Sequence, residues 1–426
     1  PPSNEPLTAT TFKASIERAL SPDMPGYFIQ FLPMIDGVTE YQNRQADHIS
    51  GIEVDGSVIR FRLSEPAGDF LNRLTMPYYC PVPIGTPAIP DIDPQPPLAA
   101  AGPYYLARHV GGELGLFAKN PNYTGDRPQP WDAIAFRVGF EPGEAIGRVE
   151  SGLADAATSD AAQPLLNAQS ELAKLWGPGS DAAASGDQRW FGASRFQTLY
   201  FSLDPADPLL GDPDVRRAVS LALDRTRLAA THGMAPWPGV LPPAVPGSLP
   251  PDSRVPAPDL EAARTLMAGR TGTLVTQGVE PAGADPRNDA LLQELASELS
   301  QIGITVQIQR YEDPWEASID PTLGIDLIFG ATDTDHPDPV AQMERLSENA
   351  RLPAADYLEL SRLRPLTGQA RYDGAAALAR KIVDEEHLVI PFAYPVYPLY
   401  LGEHVGCGFV QPAIAAVDLL SLCREG

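Results

Sequence analysis

At 426 residues the chain is two to three times an ordinary domain length, which excludes a single small module. Its 31 Lys and Arg against 55 Asp and Glu leave a formal charge of −24, a field that repels phosphate backbones and anionic lipid headgroups and so excludes nucleic acid as a partner. Hydrophobic residues at 43% supply a sizeable core, while 36 Gly and 46 Pro stay below the roughly 25–30% that marks disordered chains, so the chain is folded and loop-rich.

The first predicted element is an amphipathic helix from Thr10 to Leu20, with Thr10 or Thr11 as its N-cap and Phe12, Ile16, Ala19 and Leu20 on one face. Alternation from Ile52 to Leu63 around Asp55-Gly56 predicts a β-hairpin. The proline run from Pro81 to Pro97 breaks all periodicity and reads as a connection. A second hairpin is predicted from Tyr104–Val110 and Leu114–Lys119 around Gly111-Gly112, followed by a turn at Asn120–Tyr123, a strand from Ala133 to Phe140 and a helix from Ala145 to Leu153. The clearest helix is Asp214–Ala230, starting after Asp212-Pro213 with Val215, Ala218, Val219, Ala222 and Leu223 at helical spacing. Pro236–Pro258 excludes regular structure. Beyond it, helix Asp259–Ala268, strand Gly272–Thr276, helix Asp289–Ser300 and strands Thr305–Tyr311 and Ile325–Phe329 alternate, which predicts a parallel-type α/β sheet. Helix Tyr372–Glu385 and strand Leu388–Tyr394 complete it.

Three cysteines, Cys80, Cys407 and Cys423, are too few for a disulfide framework and lack CxxC spacing, so they read first as three buried or idle thiols; the alternative is that Cys407 and Cys423, close in sequence, close one small loop in an oxidising compartment. The chain opens on Pro1-Pro2 with no initiator Met and no stretch of 18 apolar residues; it reads as a segment of a longer polypeptide.

The six histidines stand at least 17 residues apart, so no paired-His metal motif exists, and no nucleophile elbow, Walker A loop or dinucleotide fingerprint is present. No cofactor and no metal are expected. One acidic cluster, Asp333, Asp335, His336 and Asp338, follows the predicted strand that ends near Gly330. As a calcium loop it fails at the sixth position, where Asp338 replaces the required glycine, and at the fifth, where Pro337 offers no ligand. Two readings stay open: a solvated turn that caps the helix from Val340, and a carboxylate that anchors a cationic ligand beyond a strand's C-terminal end.

Several segments, in order, resemble the family 5 extracellular solute-binding proteins, the peptide and nickel receptors of ABC importers. Leu7-Thr8-Ala9 through Ser15-Ile16-Glu17-Arg18 is similar to "LTAxDVxxSxER", Gly102-Pro103-Tyr104 with Asn120-Pro121-Asn122-Tyr123 to the "GTGPY" and "NPxYW" pair, and Ser151-Gly152 with Asp155 to "SGxxD". The strongest match is Asp214-Val215-Arg216-Arg217-Ala218 with Ala222-Leu223-Asp224-Arg225, close to "DVRVRQAINYAIDR"; Asp335-His336-Pro337-Asp338-Pro339 and Ile390-Pro391-Phe392 follow.

The resemblance implies an α/β fold of the two-lobed periplasmic-binding-protein type, class II-like, with a hinge between lobes and crossings near Phe201–Asp204 and Leu401–Val405. On this pattern residues 1–95 form part of an N-terminal subdomain of lobe 1, 96–203 and 403–426 the lobe 1 core, and 204–402 lobe 2. It implies an extracytoplasmic, non-enzymatic receptor that binds a peptide or similar small solute between its lobes and hands it to ABC permease subunits in the membrane. The alternative is a ligand-sensing domain of a larger fused regulatory protein.

Carried over singly, Asp335 matches the aspartate that pairs with a bound peptide's α-ammonium, a pairing that satisfies two otherwise costly buried charges. The tryptophan commonly three residues before it is Thr332 here, and between Thr276 and Arg287 no arginine stands where dipeptide receptors keep one for the ligand carboxylate. Tyr394 and Tyr397 are the aromatic candidates for lining the cleft, with Tyr400 beside them; packed core is the competing reading.

Overall fold

The computed structural model of the chain describes residues 5–24, 26–88, 97–161, 163–280, 285–414 and 416–424. The opening Pro1-Pro2, residues 89–96 of the proline run and 281–284 of the segment before Arg287 lie outside the described residues. Two compact units divide the chain, residues 1–144 with 419–423, and residues 145–418 with 424–426.

The first unit holds α1 (Ala9–Ala19), α2 (Val38–Gln42), α3 (Phe70–Leu74), the hairpin β1 (Ile52–Asp55) and β2 (Val58–Phe61), and the antiparallel sheet β3 (Tyr104–Val110), β4 (Leu114–Lys119) and β5 (Ala133–Arg137). Helix α1 starts one residue earlier than its pattern predicts, because Thr8 and not Thr10 or Thr11 is the N-cap: Thr8 and Thr11 satisfy each other's backbone N–H in a capping box. Its apolar stripe buries Ile16, Ala19 and Leu20 against Leu32, Ile35, Ile49 and Ile52, while Phe12, expected on that face, is left exposed. Gly56 turns the first hairpin with φ +61°, a left-handed conformation that glycine adopts without strain.

Helix α4 (Pro142–Glu150) leads into the second unit, which is built on two sheets. The smaller is β6 (Ala156–Thr158), β14 (Val396–Leu401) and β7 (Trp190–Ser194), all antiparallel. The larger has the order β11 (Ile304–Tyr311), β10 (Gly272–Val279), β12 (Leu327–Asp333), β8 (Gln197–Leu203), β13 (Val389–Tyr394), β9 (Ala235–Pro236). Helices α5 (Glu171–Trp176) and α6 (Asp181–Ser185) precede β7; α7 (Pro213–Ala222), α8 (Arg225–Thr231), α9 (Leu260–Met267), α10 (Pro286–Ser300), α11 (Pro314–Ile319), α12 (Pro339–Asn349), α13 (Ala354–Leu363) and α14 (Gly368–Arg380) follow β8.

The parallel sheet predicted for this region is only partly parallel. Strands β10, β11 and β12 pair in parallel, whereas β8 runs antiparallel to both β12 and β13, and β9 antiparallel to β13. The alternating segment supplies the parallel strands through helical crossovers, but β8 precedes that segment and enters directly from β7, with no crossover to turn it round.

Strand β8 is buried on both faces, and its side-chain period of two sorts them: Leu199, Phe201 and Leu203 pack with α7, α8, α9 and α10, while Tyr200 packs with α12, α13 and α14. The helix expected from Asp214 to Ala230 is in fact two, since Leu223 is extended and Asp224 begins a second helix by accepting from Arg227 N. No helix among the described residues is long and apolar enough to cross a membrane.

Candidate functional site

Within the second unit the chain passes from the small sheet to the large one at Arg195-Phe196, between β7 and β8, and returns at Pro395, between β13 and β14. The family pattern's lobe boundaries at residues 203/204 and 402/403 fall just after β8 and β14. Strand β12 runs on to Asp333, past its predicted end, and its last residues pair with the start of β8, Asp333 opposite Gln197 and Thr332 opposite Thr198. The acidic cluster is thereby brought to the passage between the sheets.

The loop from Asp333 to Asp338 is pinned at both ends. Thr334 donates its backbone N–H to Phe196 O at 3.1 Å, and the Gln342 amide donates to the same carbonyl. At the far end Asp338 is the N-cap of α12, accepting from Val340 N at 3.0 Å and Ala341 N at 2.9 Å. Its carboxylate also receives Arg371 in a two-pronged pair, Nε to Oδ2 and Nη2 to Oδ1, both at 2.7 Å and both side chains buried. Asp338 is thus the capping residue of the turn. Asp335 lies half-buried between the two pinned points.

Arg195 gathers the remaining groups. Its Nε lies 3.3 Å from Asp333 Oδ1, the Tyr397 hydroxyl meets the guanidinium, and Asp335 acts on it electrostatically. Burial alone lowers the Arg195 pKa, but Asp333, Tyr397 and Asp335 more than offset that and leave it raised. Burial pushes the Asp333 carboxyl up to about 6, with Asp335 adding to the rise and Arg195 opposing it. Two carboxylates thus stand beside one guanidinium, with Arg345 also acting on Asp333.

Of the sequence-predicted site residues, Asp335 and Tyr397 are brought together around Arg195. Thr332 is fully buried, its hydroxyl accepting from Thr198 N at 3.1 Å and facing Thr198 O at 3.5 Å. Tyr394 turns to Trp237, the rings edge to face at 5.8 Å, and burial raises its hydroxyl pKa. Tyr400 is core, bonded through its hydroxyl to Glu150 and lying under Arg189. Arg287 is engaged with Asp285 at 3.0 Å.

Sequence reasoning missed Arg195. Its signal was present: a lone cation between two apolar runs, Trp190-Phe191 and Phe196 to Leu203, marks a charged break between strands. Among the described residues no group of three or more His, Cys, Asp or Glu is placed to hold a metal ion.

The chain is similar to the probable di/tripeptide-binding protein 5 of Pseudomonas aeruginosa (strain UCBPP-PA14), 26% identical over an alignment of 318 residues, with 69% of this chain and 56% of that relative covered. The match therefore spans little more than half the length of the curated relative. Among solved structures, HbpA2 from Haemophilus parasuis superposes with a TM-score of 0.76 at 16% identity, covering 99% of this chain and 84% of that one. The unliganded open form of the periplasmic murein tripeptide-binding protein MppA superposes with a TM-score of 0.74 at 17% identity, covering 99% and 83%. At such identities the likeness establishes the fold, α/β of the two-lobed periplasmic-binding-protein type. The family model for the middle of the bacterial extracellular solute-binding proteins, family 5, matches residues 3–352, and the chain belongs to that family.

Proposed function

We propose that this chain is the solute-binding receptor of an ABC importer, and that it holds a short peptide or similar amine-bearing solute without chemistry. The observation that carries this reading is the cluster of Asp333, Asp335 and Arg195 at the passage between two sheets, within reach of the Tyr397 hydroxyl. A peptide's α-ammonium meets a carboxylate there, with Asp335 as anchor, Tyr397 and Tyr394 as walls and Thr332 supporting the strand end. The printed name of the Pseudomonas aeruginosa relative, a di/tripeptide-binding protein, points to the same solute class. The solute passes to permease subunits in the membrane. An extracytoplasmic location is supported by the family's extracellular character and by Cys407 and Cys423, both disulfide-bonded.

A thermal-shift panel of di- and tripeptides with free and acetylated amino termini tests the proposal. A peptide at 100 times its Kd is expected to stabilise the protein by about 2.7 kcal/mol. Asp335→Ala is expected to weaken free-amine peptides at least tenfold and acetylated ones little. No shift with any peptide rejects the solute class, and an unchanged affinity in Asp335→Ala rejects the anchor. Recovery of every bound peptide uncleaved is expected, and a cleaved product overturns the non-enzymatic reading.

A further inference from the structure

A second concavity of the same unit shares no residue with the Arg195 group. It is an open cavity of about 640 Å³ lined by α7, α8, the proline-rich segment after β9 and the end of α14. That volume falls in the range of small-molecule sites. Leu241, Leu249, Ala379 and Val383 give it apolar walls.

Its charges are unusual for a chain of net charge −24. Arg225, Arg254, Arg380 and His387 line it against one carboxylate, Asp384. Arg225 is buried, and among the described residues its guanidinium bonds only to a neutral hydroxyl, Ser220 Oγ at 2.7 Å. Neither Arg254 nor Arg380 has an ion pair among the described residues, where most other arginines find an acid. His387 Nδ1 is buried with no hydrogen-bond partner among them. A buried guanidinium with no carboxylate in hydrogen-bond contact carries a cost that the fold meets only in part. Consistently, burial lowers the Arg225 pKa to about 10, Asp384 offsetting only part.

We infer that this cavity is a second binding site, for a small amphipathic monocarboxylate whose anionic head meets Arg225, Arg254 and Arg380 and whose apolar body lies against Leu241, Leu249 and Val383. The head supplies the acceptor Arg225 lacks, and the walls supply apolar area that rejects a strongly hydrated anion. An amine is repelled by the three cations, so a solute of the kind proposed for the Arg195 group is not this site's guest.

Octanoate, octanol and octylamine titrated into the 426-residue chain by calorimetry provide the test. One octanoate per chain is expected, bound at least tenfold more tightly than octanol, with octylamine weaker still. Arg225→Gln risks misfolding, so the exposed pair Arg254→Ala/Arg380→Ala is the deciding variant, expected to lose at least tenfold for octanoate. Its peptide binding is expected to be unchanged, which separates this site from the peptide reading. Equal binding of octanol and octanoate, no octanoate binding, or octanoate binding untouched by the double substitution each overturns the inference.

Discussion

At the scale of single residues, Asp333 and Asp338 carry the same carboxylate five positions apart and have opposite environments. Asp338 and Arg371 are exposed by only 1% and 2%, and each satisfies the other in two hydrogen bonds. Removing one partner strands a buried charge, so Asp338→Ala or Arg371→Ala is expected to cost about 3–5 kcal/mol in urea unfolding. The double variant Asp338→Ala/Arg371→Ala is expected to cost less than the two single losses added together, and an additive result rejects the pairing as their main role. Asp333 has no such full complement, and burial raises it from 3.8 to about 6. A carboxyl raised in the folded state favours the protonated fold, so its contribution is full below pH 3.8 and is lost as the pH climbs through about 6. Unfolding measured from pH 4 to pH 7 is therefore expected to show Asp333→Asn gaining on the unsubstituted chain as pH rises. A difference that is flat with pH, or of opposite slope, contradicts the raised carboxyl.

At the scale of elements, what was legible in the sequence followed from periodicity, and what was not followed from distant partners. The second hairpin, β3 and β4, is found at its predicted ends because its turn and alternation are local. The break between α7 and α8 was hidden because buried Val215, Ala218, Val219 and Ala222 are followed by buried Leu228 and Ala229, so the apolar stripe resumes across it. Its cause is Glu298 on α10, buried to 1%, which accepts Asp224 N at 2.9 Å and Arg227 Nη2 at 2.6 Å. A carboxylate 74 positions away cannot be read from local pattern. The end of β12 was missed for a similar reason: Gly330 reads as a strand stop, yet it lies opposite Tyr200 of β8. A Cβ there meets the Tyr200 ring at 2.7 Å, so glycine admits a buried tyrosine, and the strand continues to Asp333. Gly330→Ala is accordingly expected to cost about 1–3 kcal/mol by overpacking, read from the urea midpoint. Tyr200→Phe in that background is expected to recover part of it, since the clash includes the hydroxyl oxygen, also at 2.7 Å. A neutral Gly330→Ala removes this explanation of the strand's length.

At the scale of the whole molecule, composition fixed the solvent-facing chemistry and the family order of motifs fixed the fold, while the site depended on joins between strands that are far apart in sequence. Asp335 and Tyr397 were both nameable from the chain, but Arg195, which unites them, acquires meaning only once β8 is seen to start where β12 ends. The cysteines pose the same problem in simpler form, since spacing permits a bond between the last two and cannot demand it. In the folded chain Cys407 and Cys423 are disulfide-bonded and Cys80 is the free thiol. Burial raises the Cys80 thiol pKa, which lowers its thiolate fraction at neutral pH and slows its alkylation in the native state. Protein secreted into an oxidising compartment, denatured without reductant and treated with iodoacetamide, is therefore expected to gain one carbamidomethyl group by intact mass, at Cys80. After reduction it is expected to gain one on each of the 3 cysteines. Full labelling before reduction means that the bond does not form there, and it removes the cysteines from the case for an extracytoplasmic location, leaving that case on the family alone.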